Sequence, residues 1–504
     1  MNLMKTDRVE NISADVCIIG SGCGGGVCAK VLAEAGMKVV LVEEGGYFKA
    51  EDFNQREDDV YEKMYQHRGG LATEDLSFTI LQGKTVGGST TINWTTSLRT
   101  PRFVLDHWVK ELHLEEYSYN EIQPYFEKVE RYLNIHPEPY ERHNENNRIV
   151  YDGARNLGYH AYSSGRNVDG CIECGFCGMG CSYDVKLSAN LTYIPDAEKA
   201  GAQIVSRARV EKISIDGYMK SVEGNRLDVE TDSITGSFSV HAPFVIIAAS
   251  AVNTPVLLLK SKLANANGRV GSTLTLHPTT AVLGKFERII DPGYGIPQSA
   301  VCDEFMNYRN DGGGYWIEGV PVHPALAAIS LPEFGEPHRS IMENYRHLGA
   351  TIVLVKDTDS YGTVSVNEYG RPKIRYRLGD RDRRYIQEGL GTATRIQFAA
   401  GAIEVGTLHV RQTIIGSPDE ISLKLSTARY GPNEIIMYSA HPLSSCRMGV
   451  DPRTSVVKPN GETHEVPGLY ICDGSILPTS LGVNPQLTIF AVAEKIAENI
   501  AAQN

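Results

Sequence analysis

The chain opens its patterned part on Asp15 to Gly20 (DVCIIG), a run apolar enough and short enough for a buried strand. A glycine cluster follows, then the helical stretch VCAKVLAEAG ending at Gly36, then a second apolar run from Met37 to Val42 that closes on Glu43. Strand, turn, helix and strand in about 30 residues predict a β–α–β unit and a parallel sheet.

Further along the texture changes several times. Residues 50–80 are polar and read as a long excursion, and 104–133 carry helical patterning (VLDHWVKELHL, then NEIQPYFEKVERYL). Near residue 195 a helix-like PDAEKAGA precedes a strand, QIVSRARVEKISI, and a strongly apolar strand, PFVIIAAS, covers Pro243 to Ser250. Between 275 and 385 short alternating segments such as TAVLGKF, TIVLV and GTVSV predict an antiparallel sheet. The end returns to a strand and a helix, LYICDGS and NPQLTIFAVAEKIAENIAAQ. This order predicts two domains interleaved in sequence, the nucleotide-binding one assembled from three separated pieces.

Composition narrows the class of protein. A chain of 504 residues exceeds one ordinary core. A net charge of −12 supplies no basic footprint for nucleic acid. The first fifteen residues are polar and lack the apolar segment of a secretory signal. No apolar stretch reaches the roughly 18 residues of a membrane helix. A cytoplasmic location is the expectation, and there ten cysteines are not expected to form a disulfide framework.

The glycine cluster has chemical meaning. Gly20, Gly22 and Gly25 fit G-x-G-x-x-G where a strand meets a helix, so backbone N–H groups can approach a pyrophosphate at the helix N-terminus. Glu43, at the end of the next strand, is placed to accept from ribose hydroxyls. A bound dinucleotide is expected, and the turn alone does not distinguish FAD from NAD. A second glycine-rich segment, GKTVGGSTTIN, places Gly87, Gly88, Ser89 and Asn93 where backbone could lie against a flat ring.

Four segments in order now carry a resemblance: GSGCGGG with Glu43, GKTVGGSTTIN, AASAVNTPVLLLKS, and HPLSSCRMG with YICDGSILPTSLGVNPQLTIF. Together they span nearly the whole chain, which resembles the glucose–methanol–choline (GMC) family of flavoprotein oxidoreductases. The connecting texture, including LHPTTAVLG, is most similar to the long-chain alcohol oxidase branch. The stretch WTTSLRT after Asn93 departs slightly from the family pattern. The resemblance implies an α/β FAD-binding, Rossmann-like βαβ domain (1–100, 195–275 and 435–504). It is interleaved with an α+β substrate domain built on an antiparallel sheet (101–194 and 276–434). It implies FAD, with Val210 at the adenine end and Asp473 and Gly474 near the pyrophosphate and ribityl chain.

The resemblance also singles out His441 and Asn484 as the catalytic pair. By local context His441 lies in a polar turn and reads as structural, while Asn484 before Pro485 reads as a helix N-cap. In the family the two positions stand side by side at the reactive face of the flavin. Alcohol oxidation removes a hydroxyl proton and passes a hydride to the flavin. A neutral imidazole suits the first task as general base, and an amide N–H can orient the hydroxyl.

Cys171, Cys174, Cys177 and Cys181 form C-x2-C-x2-C-x3-C, the spacing of a bacterial ferredoxin run without its proline, since Ser182 follows. An iron–sulfur cluster (4Fe–4S or 3Fe–4S), a tetrahedral zinc, or free or paired thiols all fit four such residues. The other six cysteines read as packing residues.

The function expected is oxidation of a small-molecule alcohol, with dioxygen or an electron carrier as acceptor. Hydrophobic segments such as ALAAISLP lean towards an apolar substrate. The alternative is a sugar or polyol dehydrogenase passing electrons through an iron–sulfur cluster to a carrier, and after it a non-redox FAD-containing lyase.

Overall fold

A computed structural model describes residues 9–411 and 413–503. The β–α–β unit forms as the pattern requires, with strands Val16–Ile19 and Val39–Val42 around the helix Cys23–Glu34. Every residue of the two strands is buried, as a parallel sheet covered on both faces demands. Leu469–Ile471, Phe244–Ile247, Val16–Ile19, Val39–Val42 and Gln203–Val205 lie in that order in one parallel sheet. The helix starts inside the glycine cluster, and its first turn presses on the exit of strand Leu469–Ile471, where only glycine fits. A Cβ on Gly24 would lie 1.6 Å from the Cys472 carbonyl oxygen.

The stretch QIVSRARVEKISI is two strands rather than one. Arg207 adopts φ 54° and turns the chain, so Gln203–Val205 stays in the parallel sheet while Ala208–Asp216 enters a four-stranded sheet with Met219–Leu227, Ile234–Ala242 and Val9–Ser13.

The second unit is built on a nine-stranded sheet, antiparallel but for one pairing. Its main path runs Thr413–Ile415, Glu404–Thr407, Thr279–Lys285, Leu348–Val355, Tyr315–Gly319, Ala300–Cys302 and Ala161–Ser163. Helices Glu145–Asn156 and Asp380–Ala399 pack together on it. Phe78–Ile80 and Met437–Ser439, from stretches that the sequence pieces give to the nucleotide-binding unit, pair in parallel and join this sheet. Three residues each is too short to show a period.

The expected fold class is borne out: a parallel α/β unit interleaved with an α+β unit on a mainly antiparallel sheet. The two largest apolar clusters centre on the parallel sheet and on the large sheet. Among the described residues no helix is long and apolar enough to cross a membrane.

Candidate active site

The strand exits of the parallel sheet, the second glycine loop and the edge of the large sheet enclose a cavity of about 880 Å³. Gly20, Gly22, Glu43, Gly88, Ser89, Asn93, Val210, Asp473, Gly474, His441 and Asn484 all line it. Gly25 and Gly87 are not on its wall.

Ser21 ties the first turn to its surroundings. Its backbone N–H and its hydroxyl donate to Glu43 Oε2 at 3.0 and 2.7 Å, while Glu43 Oε1 accepts from Gly45 N at 2.8 Å. Burial raises the Glu43 pKa, opposed by those donors. The Ser21 oxygen in turn accepts from Gly87 N at 3.0 Å, which draws the second glycine loop onto the first. Ser89 Oγ accepts from Gly83 N at 3.0 Å and steadies that loop.

Asp473 acts as a clamp. It accepts from Ser250 N at 2.9 Å, Thr254 Oγ1 at 2.5 Å and Ser475 N at 2.8 Å, holding the start of helix Ser250–Ser261 against the loop after Leu469–Ile471. Burial raises its pKa and these donors oppose the rise.

Asn93 donates to Gln486 Oε1 at 2.7 Å, linking the second loop to the first turn of helix Gln486–Ala501. Gln486 Nε2 sits among Thr96 O, Ser97 Oγ and Asn167 Oδ1 at 2.9–3.2 Å. The helix therefore directs its positive end at the cavity.

His441 Nδ1 lies 3.3 Å from Nδ1 of His277. Burial, and then the neighbouring His277, hold the His441 pKa well below the usual histidine value, so the ring is neutral at pH 7. Asn484 does not cap the final helix: Pro485 occupies the N-cap position, and the side-chain oxygen of Asn484 is buried with no hydrogen-bond partner. The capping role expected from sequence is corrected, because the helix starts one residue later than Asn-Pro suggests.

Sequence comparison identifies what kind of site this is. Residues 61–279 and 358–493 match the N- and C-terminal sequence profiles of the GMC oxidoreductases. The long-chain-alcohol oxidase FAO4B of Arabidopsis thaliana is 32% identical over 98% of this chain and 68% of its own length. The chain belongs to the GMC oxidoreductase family. It is an FAD-dependent oxidoreductase, and the resemblance read from its four segments is borne out. Among solved structures, a formate oxidase from Aspergillus oryzae shares the fold with a TM-score of 0.74 at 16% identity, covering 99% of each chain. Pyridoxine 4-oxidase from Mesorbium loti does so at 0.72 and 17%, over 96% of this chain and 98% of its own.

In this GMC oxidoreductase the four clustered cysteines are not gathered into a ligand set. Among the described residues no three His, Cys, Asp or Glu side chains are arranged to hold a metal ion. The iron–sulfur and zinc expectations for Cys171, Cys174, Cys177 and Cys181 are therefore not supported, since spacing along a chain does not by itself converge the sulfurs. What organises the segment is charge. Arg166, fully buried, pairs with buried Glu138 at 2.9 Å, donates to Thr95 Oγ1 at 2.8 Å, and stands 3.8 Å from the sulfurs of Cys171 and Cys177. Lys186 Nζ donates to the carbonyls of Thr91, Cys177 and Asn93. Burial pushes the Cys177 thiol up to about 11. Arg166 and Lys186 thus tie the cysteine segment to the loop that follows the second glycine pair.

His277, Ser21 and Gln486 were not anticipated as site residues. A signal for the first was present: His277-Pro278 repeats the dipeptide His441-Pro442.

Proposed function

We propose that this protein oxidises a primary alcohol with a long apolar chain to the aldehyde and passes the two electrons to dioxygen, giving hydrogen peroxide. The family membership and the long-chain-alcohol oxidase relatives support the reaction class. The observation that carries it is the convergence of His441 and Asn484 on the cavity walled by the two glycine loops.

The residues present fit FAD. The two glycine loops approach too closely for a side chain at Gly88, which leaves bare backbone along a wall suited to a flat ring and a pyrophosphate. The Gly20–Gly22 turn, Glu43 and Val210 would hold the ADP half; Gly88, Ser89, Asp473 and Gly474 would hold the remainder. Bound there, FAD supplies the hydride acceptor. The protein's part is to orient the hydroxyl between His441 and Asn484, aim the positive helix end of Gln486–Ala501, and keep water from the reacting carbon. Nδ1 of His441 faces His277, so Nε2 is the ring nitrogen left for the substrate.

The test is anaerobic addition of 1-dodecanol to the yellow holoenzyme, followed by air. Bleaching, then recovery of colour with stoichiometric peroxide, is expected. A flavin that stays oxidised with alcohols of every chain length would refute the reading, and bleaching without peroxide on re-aeration would replace dioxygen by a carrier.

A further inference from the structure

Strands Met219–Leu227 and Ile234–Ala242 are joined by a tip, residues 228–233, of which Val229, Glu230, Thr231 and Asp232 line the cavity. The tip is tied to itself. Asp228 Oδ1 accepts from the backbone N–H groups of Glu230 and Thr231 at 3.1 and 3.0 Å and from the Thr231 hydroxyl at 2.9 Å. Asp228 N donates to Ser233 O at 2.8 Å. A turn closed by its own aspartate in this way holds its shape as a unit. Behind it the ladder shifts register between Arg226 and Leu227, an irregularity at which a two-stranded ribbon bends.

The tip adjoins the end of the cavity assigned to adenine. Gly224, Asn225 and Arg226 pair with Val210, Arg209 and Ala208, so the ribbon that carries the tip lies beside the strand that carries Val210. Val229 is 69% exposed, although it is apolar and stands on the cavity wall. Such a side chain gains burial when a flat ring lies against it.

Asp232 fastens the tip. In a left-handed turn of φ 56°, its Oδ2 accepts from Lys84 Nζ and its Oδ1 from Arg207 at 3.1 Å. The two cations are largely enclosed, with side chains 12% and 13% exposed, whereas that of Asp232 is 38% exposed. Both are anchored just past Glu43. Arg207 N donates to Gly45 O at 3.0 Å, and a Cβ on Gly45 would lie 2.2 Å from the Lys84 carbonyl carbon. The Arg207 guanidinium also stands 5.7 Å from the Phe48 ring. One carboxylate therefore joins a self-contained tip to a fixed rim. Half-exposed ion pairs of this kind open readily, because water and salt compete for both partners.

We propose that residues 228–233 form a flap over the adenine end of FAD, latched by the Asp232 carboxylate on Lys84 and Arg207, and that FAD enters and leaves past it. Closing lays Val229 against the adenine, above Glu43 and Val210; opening breaks the two ion pairs and bends the ribbon at the Arg226–Leu227 irregularity. A latch sets how fast the cofactor exchanges and has little effect on how tightly it is held. The inference needs FAD alone and is independent of which substrate the enzyme oxidises.

The test follows exchange of bound FAD in holoenzyme mixed with excess isotopically labelled FAD, read by mass spectrometry. Asp232→Asn keeps the size of the side chain and removes its charge. Exchange is expected to accelerate roughly 5- to 20-fold, the worth of hydrogen bonds to charged groups, while FAD affinity, from flavin occupancy on dilution, changes less than about threefold. Wild-type exchange is expected to quicken with added salt, and that of the variant to respond less. Asp232→Glu, which restores the carboxylate, should fall between the two. Hydrogen exchange of the Glu230–Ser233 amides should rise in Asp232→Asn while the amides of strand Val39–Val42 keep their protection, which separates an opened flap from a damaged fold. An unchanged exchange rate in Asp232→Asn, including no exchange in either protein, overturns the proposal. So does acceleration matched by an equal loss of affinity, which would make Asp232 a contact of the cofactor instead of a latch.

Discussion

Gly22 and Gly88 meet backbone to backbone: a Cβ on Gly88 would lie 2.8 Å from the Gly22 Cα, and Gly88 itself has a left-handed φ of 56°. The two residues belong to loops far apart in the chain. Their contact, fastened by the Ser21–Gly87 hydrogen bond, turns two separate glycine motifs into one continuous wall of the cavity.

Gly88→Ala forces those loops apart. Overpacking of this kind costs about 1–3 kcal/mol, and spent on the cofactor site it corresponds to FAD binding weakened roughly 5- to 150-fold. The expected outcome is protein purified with depleted flavin, read from the ratio of flavin to protein absorbance and by titration with added FAD. Full occupancy would mean that the two loops do not share the cofactor.

Glu138→Gln leaves the Arg166 guanidinium buried without its carboxylate. Removing one partner of a buried pair costs about 3–5 kcal/mol. Lower thermal stability is expected, together with faster labelling of Cys171 and Cys177, whose sulfurs face the same guanidinium. Unchanged thiol reactivity would separate the ion pair from the cysteine segment.

Gln486→Leu removes the acceptor of Asn93 and the donor shared among Thr96, Ser97 and Asn167. Buried polar groups left unpaired cost about 1–3 kcal/mol each. The variant is expected to melt earlier and to reduce its flavin more slowly. Gln486→Glu, which keeps an acceptor for Asn93 but no donor for the other three, should fall between it and wild type.

His409 lies away from the cavity, buried, with Nδ1 2.7 Å from Thr407 Oγ1. Burial lowers its pKa to about 4, against an ordinary value of 6.5. Between those two pH values the unfolded chain binds the proton and the folded chain does not, so stability falls as pH falls through that window. His409→Gln should flatten the fall by about 1.4 kcal/mol per pH unit, measured from denaturation midpoints at several pH values. A slope identical to wild type would show that His409 is charged in the folded state.

Much of the site could be read along the chain where chemistry is local. The Gly20–Gly25 turn lies directly between a buried strand and a helix, and Glu43 closes the next strand, so sequence spacing and spatial spacing nearly coincide there. His441 and Asn484 were legible through resemblance, since neither has a distinctive neighbourhood. The cysteine run misled for the opposite reason: a regular spacing suggested a shared ligand, whereas in space its surroundings are set by Arg166 and Lys186. The polar excursion at 50–80 concealed Phe78–Ile80, a strand too short to announce itself.

By itself the sequence determined the two-unit architecture, the dinucleotide turn and the family, because periodicity and glycine placement act within a few residues of each other. Only the folded chain decided which hydrogen-bonding role each active-site atom takes. That depends on groups contributed from far away, such as the Leu481 and Gly482 amides that donate to His277. A proton's position on a ring is set by whichever donors and acceptors surround it in space, and no pattern along the chain records that.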